Sequence, residues 1–121
     1  MSMFTSMTDR SVLIKEIAQL GANYIDYKKE IQEFPWDCDD ELYFLTKADL
    51  LSVFSRFLSG ELNSEELEKW ADFLECRDDL GYELEFEDDL REIIFLLANP
   101  TINYKIDVKL VKELTDKVCK M

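Results

Sequence analysis

Apolar residues return at steps of four and three through the first third of the chain: Leu13, Ile17, Leu20, Tyr24, Tyr27, Ile31 and Phe34. That spacing places them on one helical face. Gly21 interrupts the stretch at a cost of about 1 kcal/mol relative to alanine, so residues 9–34 read either as two helices or as one bent helix. "FPWDCDDE" then reads as a loop, because Pro35 steers Phe34 away from helical backbone and aspartates favour turns. In "LTKADLLSVFSRFLSG", Thr46 is placed as an N-cap with Asp49 as the reciprocal member of a capping box. Leu50, Val53, Phe54 and Phe57 form the inward stripe of that helix, and Gly60 suits a left-handed C-terminal cap.

"NSEELEKWADFLECRDD" predicts the next helix, capped by Asn63 or Ser64, with Leu67, Trp70, Ala71 and Leu74 facing inward. "FEDDLREIIFLLANP" predicts another, stopped by Asn99-Pro100. Its second half, Ile93 to Ala98, is apolar nearly all round and so belongs inside the domain. "TINYKI" alternates in the manner of an extended segment. Asp107 then caps a last helix in which Val108, Leu110, Val111, Leu114 and Val118 are available for packing. Lysines lie toward its C-terminal end, the side favoured by the helix dipole. The expectation is an all-α fold: a compact bundle of about five helices, with a short extended segment near 101–106. Residues 1–121 form a single domain, with 1–8 as a frayed lead-in.

Length and composition agree with this pattern. A chain of 121 residues with 47% hydrophobic content buries about two-thirds of its unfolded surface. Three glycines and two prolines leave little room for a sandwich of many tight turns. Cys38, Cys76 and Cys119 are odd in number and far apart, which reads as reduced thiols in a cytoplasmic protein. No apolar run reaches the ~18 residues of a membrane span, and the first residues lack a signal-peptide pattern.

Charge changes the picture most. Fourteen basic residues face 27 acidic ones, a formal net charge of -13. That excludes direct nucleic-acid binding and an anionic membrane surface as expected partners. The complementary partner is a cationic protein. Fourteen of the acids lie between Glu61 and Glu92, where only Lys69, Arg77 and Arg91 offset them. Some have local reasons. Glu65 and Glu66, and later Glu87, Asp88 and Asp89, occupy first helical turns, where negative charge is worth about 0.3–1 kcal/mol. Others oppose local physics. Glu68, Asp72, Glu75 and Asp79 follow at steps of four, three and four, a ladder of like charge if the helix reaches Asp79. Glu75, Asp78 and Asp79 also crowd a helix C-terminus, where the dipole disfavours anions. These residues form the candidate partner-binding face. Tyr82 either flanks that face or joins the core. A second candidate is the loop: Trp36 ringed by Asp37, Asp39 and Asp40 has the character of an interface anchor, or else tucks inward to fix the loop.

Catalytic patterns are missing. No histidine occurs, so imidazole-based triads and imidazole metal ligands are excluded. No glycine-rich phosphate loop is present, and nothing singles out one carboxylate pair for acid–base work. A calcium loop starting at Asp37 would need Gly at position 42 and Glu at position 48; Leu42 and Ala48 stand there. The expectation is a non-enzyme with no metal or cofactor.

The run "LTKADLLSVFSRFLSGELNSEELEKWADFLECRDDLGYE", with "IIFLLANPTINYKI" after it, resembles immunity proteins of contact-dependent growth inhibition toxin–immunity pairs. The likeness spans residues 45–106 and rests on Leu58-Ser59-Gly60-Glu61-Leu62, the Trp70-Ala71 helix leading to Arg77-Asp78-Asp79, Gly81, and Asn99-Pro100. It implies a cytoplasmic inhibitor, a monomer or weak homo-oligomer, that binds a cognate toxin domain, commonly a nuclease with a basic groove. It carries over no binding residues. Two other roles fit the composition: a nucleic-acid mimic that occupies a DNA-binding protein, and a structural subunit whose charge only keeps it soluble.

Overall fold

The computed structural model describes residues 7–21, 24–32, 41–100 and 105–121, with backbone alone for 7–10. In chain order the elements are α1 (Met7–Ala18), α2 (Tyr24–Ile31), β1 (Tyr43–Leu45), α3 (Lys47–Leu58), α4 (Ser64–Glu75), β2 (Leu80–Tyr82), a 3₁₀ turn (Leu84–Phe86), α5 (Glu87–Ala98) and α6 (Val108–Cys119). The fold is all-α apart from the short strands. Helices pack mainly in pairs, α1 on α2, α3 on α6 and α4 on α5. Trp70, Phe54, Ile14, Ile17, Leu50 and Leu90 are among the fully buried side chains at the centre.

The N-terminal helical stretch is two helices. Leu20 N–H donates to the Ile17 carbonyl and Gly21 N–H to the Glu16 carbonyl, each at 3.0 Å, so α1 closes on a left-handed cap. The left-handed residue is Leu20 (φ 51°) rather than the glycine beside it, a conformation costing roughly 1–2 kcal/mol for a side-chain-bearing residue. Tertiary contacts offset that cost. The Leu20 side chain is buried. The Trp70 indole N–H donates to the Ile17 carbonyl at 2.9 Å, and the Arg56 guanidinium donates to the carbonyls of Gln19 (3.2 Å) and Leu20 (2.5 Å). Carbonyls left over at the end of α1 are therefore taken up by α3 and α4.

Elsewhere local capping sets the boundaries. Thr46 and Asp49 exchange the two bonds of a capping box at the start of α3. Asp49 also accepts the Tyr43 hydroxyl (2.5 Å) and Gln19 Nε2 (3.1 Å), which joins α1, β1 and α3. Gly60 adopts φ 91°, and the bonds Gly60 N–H to Phe57 O and Glu61 N–H to Arg56 O close α3. Asn63 with Glu66 starts α4, and Asp107 caps α6 through Leu110 N–H.

The sequence pattern did not reveal β1 and β2. They pair in parallel, Tyr43 with Leu80, Phe44 with Gly81 and Leu45 with Tyr82, and α3 and α4 supply the connection between them. Leu42 N–H to Asp79 O (2.7 Å) and Glu83 N–H to Leu45 O (2.8 Å) extend the ladder at both ends. Gly81 is needed for close approach: a Cβ there would lie 2.8 Å from the Phe44 ring and from the Glu41 carboxylate. The expected extended segment near 101–106 falls mostly outside the described residues; Lys105 and Ile106 have no regular structure, and Ile106 is buried. Two packing expectations are corrected. Phe95, in the half of α5 expected to be fully internal, is 59% exposed, and Val108 is also exposed. Ile93, Ile94, Leu97 and Ala98 already fill the α5 face toward the core, which turns Phe95 outward.

Candidate functional site

α4 is strongly amphipathic. Leu67, Trp70, Ala71 and Leu74 are buried, while Glu68, Asp72 and Glu75 line the exposed side at the expected steps of four and three. The helix has no basic residue in its last turn, and Glu75 is its last residue, so the negative end of the dipole meets a carboxylate. Asp78 follows in the turn and is exposed. Glu68, Asp72 and Asp78 have no ion pair or hydrogen bond among the described residues. Glu75 accepts one long bond, from Asn99 Nδ2 at 3.4 Å.

Two expected members of the face are not on it. α4 stops at Glu75, so Asp79 is not the next rung of a helical ladder. Asp79 is fully buried and forked by Arg77, with Nε to Oδ1 at 3.1 Å and Nη2 to Oδ2 at 2.8 Å. A carboxylate taken out of water needs such a partner, and its backbone carbonyl holds Leu42 in the strand ladder. Tyr82, the last residue of β2, is 4% exposed and part of the core. Burial pushes its hydroxyl up to about 12, with Arg91 opposing the rise and Glu75 adding to it. Trp36, Asp37, Asp39 and Asp40 lie outside the described residues.

The structure adds side chains that charge counting alone did not select. Glu41, just before β1, joins Glu75 and Asp78 around a shallow hollow of about 290 Å³ walled by Tyr82, Arg91 and Phe95. Phe95 is the exposed aromatic there, and Phe44, 39% exposed, lies over Gly81 next to the Glu41 carboxylate. Cations near this edge are engaged within the chain. Arg77 is held by Asp79. Arg91 pairs with Glu87 (3.0 Å) and stacks 4.8 Å from the Tyr82 ring centroid. Lys69 pairs with Glu65 and Lys117 with Glu92. The edge formed by the end of α4, the turn after it and the outward side of α5 is thus an acidic surface with an apolar aromatic at its centre.

A larger groove of about 740 Å³ opens at the other end of α4, against α2. Its rim carries Lys28, Arg56 and Lys69 against Glu61, Glu65 and Glu66. Balanced charge and internal pairs give it no distinctive field. Among the described residues, no group of three or more His, Cys, Asp or Glu side chains is placed to hold a metal ion, and no helix is long and apolar enough to cross a membrane. Compared with protein-family models, curated proteins and solved structures, the chain gives no significant match.

Proposed function

We propose that the chain is an immunity protein that binds a cognate toxin domain, a nuclease with a basic substrate groove, and neutralises it by laying the acidic α4 edge across that groove. The observation that carries this reading is the set Glu68, Asp72, Glu75 and Asp78, exposed and without internal cations. Such a set costs the free protein a few tenths of a kcal/mol per like-charge contact. A cationic partner removes the repulsion, and opposite fields raise the association rate to ~10⁸ M⁻¹s⁻¹ or more at low salt. Inhibition requires no turnover: an anionic face seated over the groove competes with phosphate for the same cations. The resemblance of residues 45–106 to immunity proteins points the same way.

The decisive experiment takes the product of the neighbouring open reading frame, which this reading expects to end in a toxin domain. Its nuclease activity is measured with and without one equivalent of the protein. Loss of activity is expected, with recovery when Glu68, Asp72, Glu75 and Asp78 are changed to Lys. Undiminished cleavage at equimolar protein rejects the reading.

A further inference from the structure

Carboxylates alone would accept any cation, and the hollow at the end of α4 holds more than carboxylates. Two features besides charge narrow its ligand. The first is Phe95, 59% exposed on its rim, with no ring or cation partner among the described residues. An outward phenyl group lining the same hollow as three carboxylates suits an aromatic platform for a cation. The second is Arg91, one helical turn before Phe95. Its guanidinium already lies over the Tyr82 ring in the same hollow, 4.8 Å from the centroid, while hydrogen-bonding a carboxylate. The walls thus hold one guanidinium in an aromatic-plus-carboxylate setting; a second, Arg77, also lines the hollow but is committed to the buried Asp79 carboxylate, and Phe95 with Glu75, Asp78 and Glu41 offers the same combination on the open side.

We propose that this hollow receives one arginine side chain of the cationic partner, the guanidinium stacked on Phe95 within reach of the Glu75 and Asp78 carboxylates. The inference rests on the acidic-edge reading above and adds a residue type to it. A volume of about 290 Å³ is at the lower limit of small-molecule sites and suits a single side chain. Arginine is favoured over lysine because a planar guanidinium can stack and fork to carboxylates at once, whereas an ammonium is a hydrated point charge.

The test titrates the whole protein with hexa-arginine and with hexa-lysine at low salt, followed by calorimetry and by backbone amide shifts. Hexa-arginine is expected to bind about two- to fivefold more tightly, with shifts gathered at Glu75, Asp78 and Phe95. Phe95→Ala should abolish that preference and change hexa-lysine affinity less than about twofold, as expected if the ring supplies stacking and not charge. Glu68→Gln, outside the hollow, should weaken both peptides alike. Equal affinities in the unmodified protein, or a preference that survives Phe95→Ala, overturn the arginine site and leave the acidic-edge reading standing. Failure of both peptides to bind overturns both.

Discussion

Glu75 and Asp79 lie four residues apart in one acidic run, yet the fold treats them in opposite ways. Asp79 is buried and forked by Arg77, and its backbone anchors the strand pair. Glu75 ends α4 in solvent with one long bond from an asparagine. Asp79 is structural, whereas Glu75 opposes the dipole of its own helix. The other end of α4 provides a second contrast, because Glu66 closes a capping box there and Glu65 pairs with Lys69. α6 is a control of equal length: three lysines against two carboxylates, with Lys117 in the last turn. Acidity by itself therefore says little about role. Position relative to a helix end and to an internal cation separates the carboxylates that serve the fold from those it leaves exposed and uncompensated.

The largest effect expected from this contrast is at the buried member. Asp79→Asn leaves the Arg77 charge in the interior without its counter-ion and should cost about 3 kcal/mol or more in urea unfolding. A loss below about 1 kcal/mol would mean that Asp79 is no more structural than Glu75. Next is the alkaline limit of the same strand. Tyr82 ionises at about 12 in the fold against about 10 unfolded. A raised folded value means that its contribution to stability is complete below pH ~10 and is lost as pH climbs through ~12. Phenolate absorbance should therefore show Tyr82 titrating late, and unfolding midpoints should fall across that window; a Tyr82 that titrates at pH 10 would place it outside the core.

Smaller changes test the two ends of α4. Glu66→Ala opens the capping box and should lower stability by about 1 kcal/mol, seen as a lower urea midpoint with an unchanged slope. Glu75→Lys should do the reverse, raising stability by about 0.3–0.5 kcal/mol, less at high salt as the dipole and neighbouring charges are screened. Under the proposed function the same substitution should also weaken binding of a cationic toxin domain. A Glu75→Lys protein that is both less stable and equally good at binding would remove the distinction on which the docking edge depends.

Much of the helical framework is legible in the sequence. Thr46 with Asp49, Asn63 with Glu66, Asp107 and Gly60 act within three or four residues of themselves, and stripes such as Leu50-Val53-Phe54-Phe57 need only the helical period. Three of the chosen face residues, Glu68, Asp72 and Glu75, could be placed on α4 for the same reason, and Asp78 is exposed just after it. Asp79 could not be assigned correctly because burial of a charge depends on where Arg77 turns, and Tyr82 because its strand exists only through a distant partner. Leu20 shows the same limit: local rules favour Gly21 for the left-handed position, yet Arg56 holds the Leu20 carbonyl and Trp70 the Ile17 carbonyl of the same turn.

Periodicity, caps and charge count were enough to dictate an acidic, mainly helical domain with one helix negative at its wrong end, because each is a property of neighbours along the chain. Pairing β1 with β2, drawing Asp79 inward, turning Phe95 outward and bringing Glu41 beside Glu75 and Asp78 were settled only by packing. Except for the Arg77–Asp79 fork, those arrangements join residues far apart in the chain, and their energies arise from desolvation and close contact that no local pattern encodes.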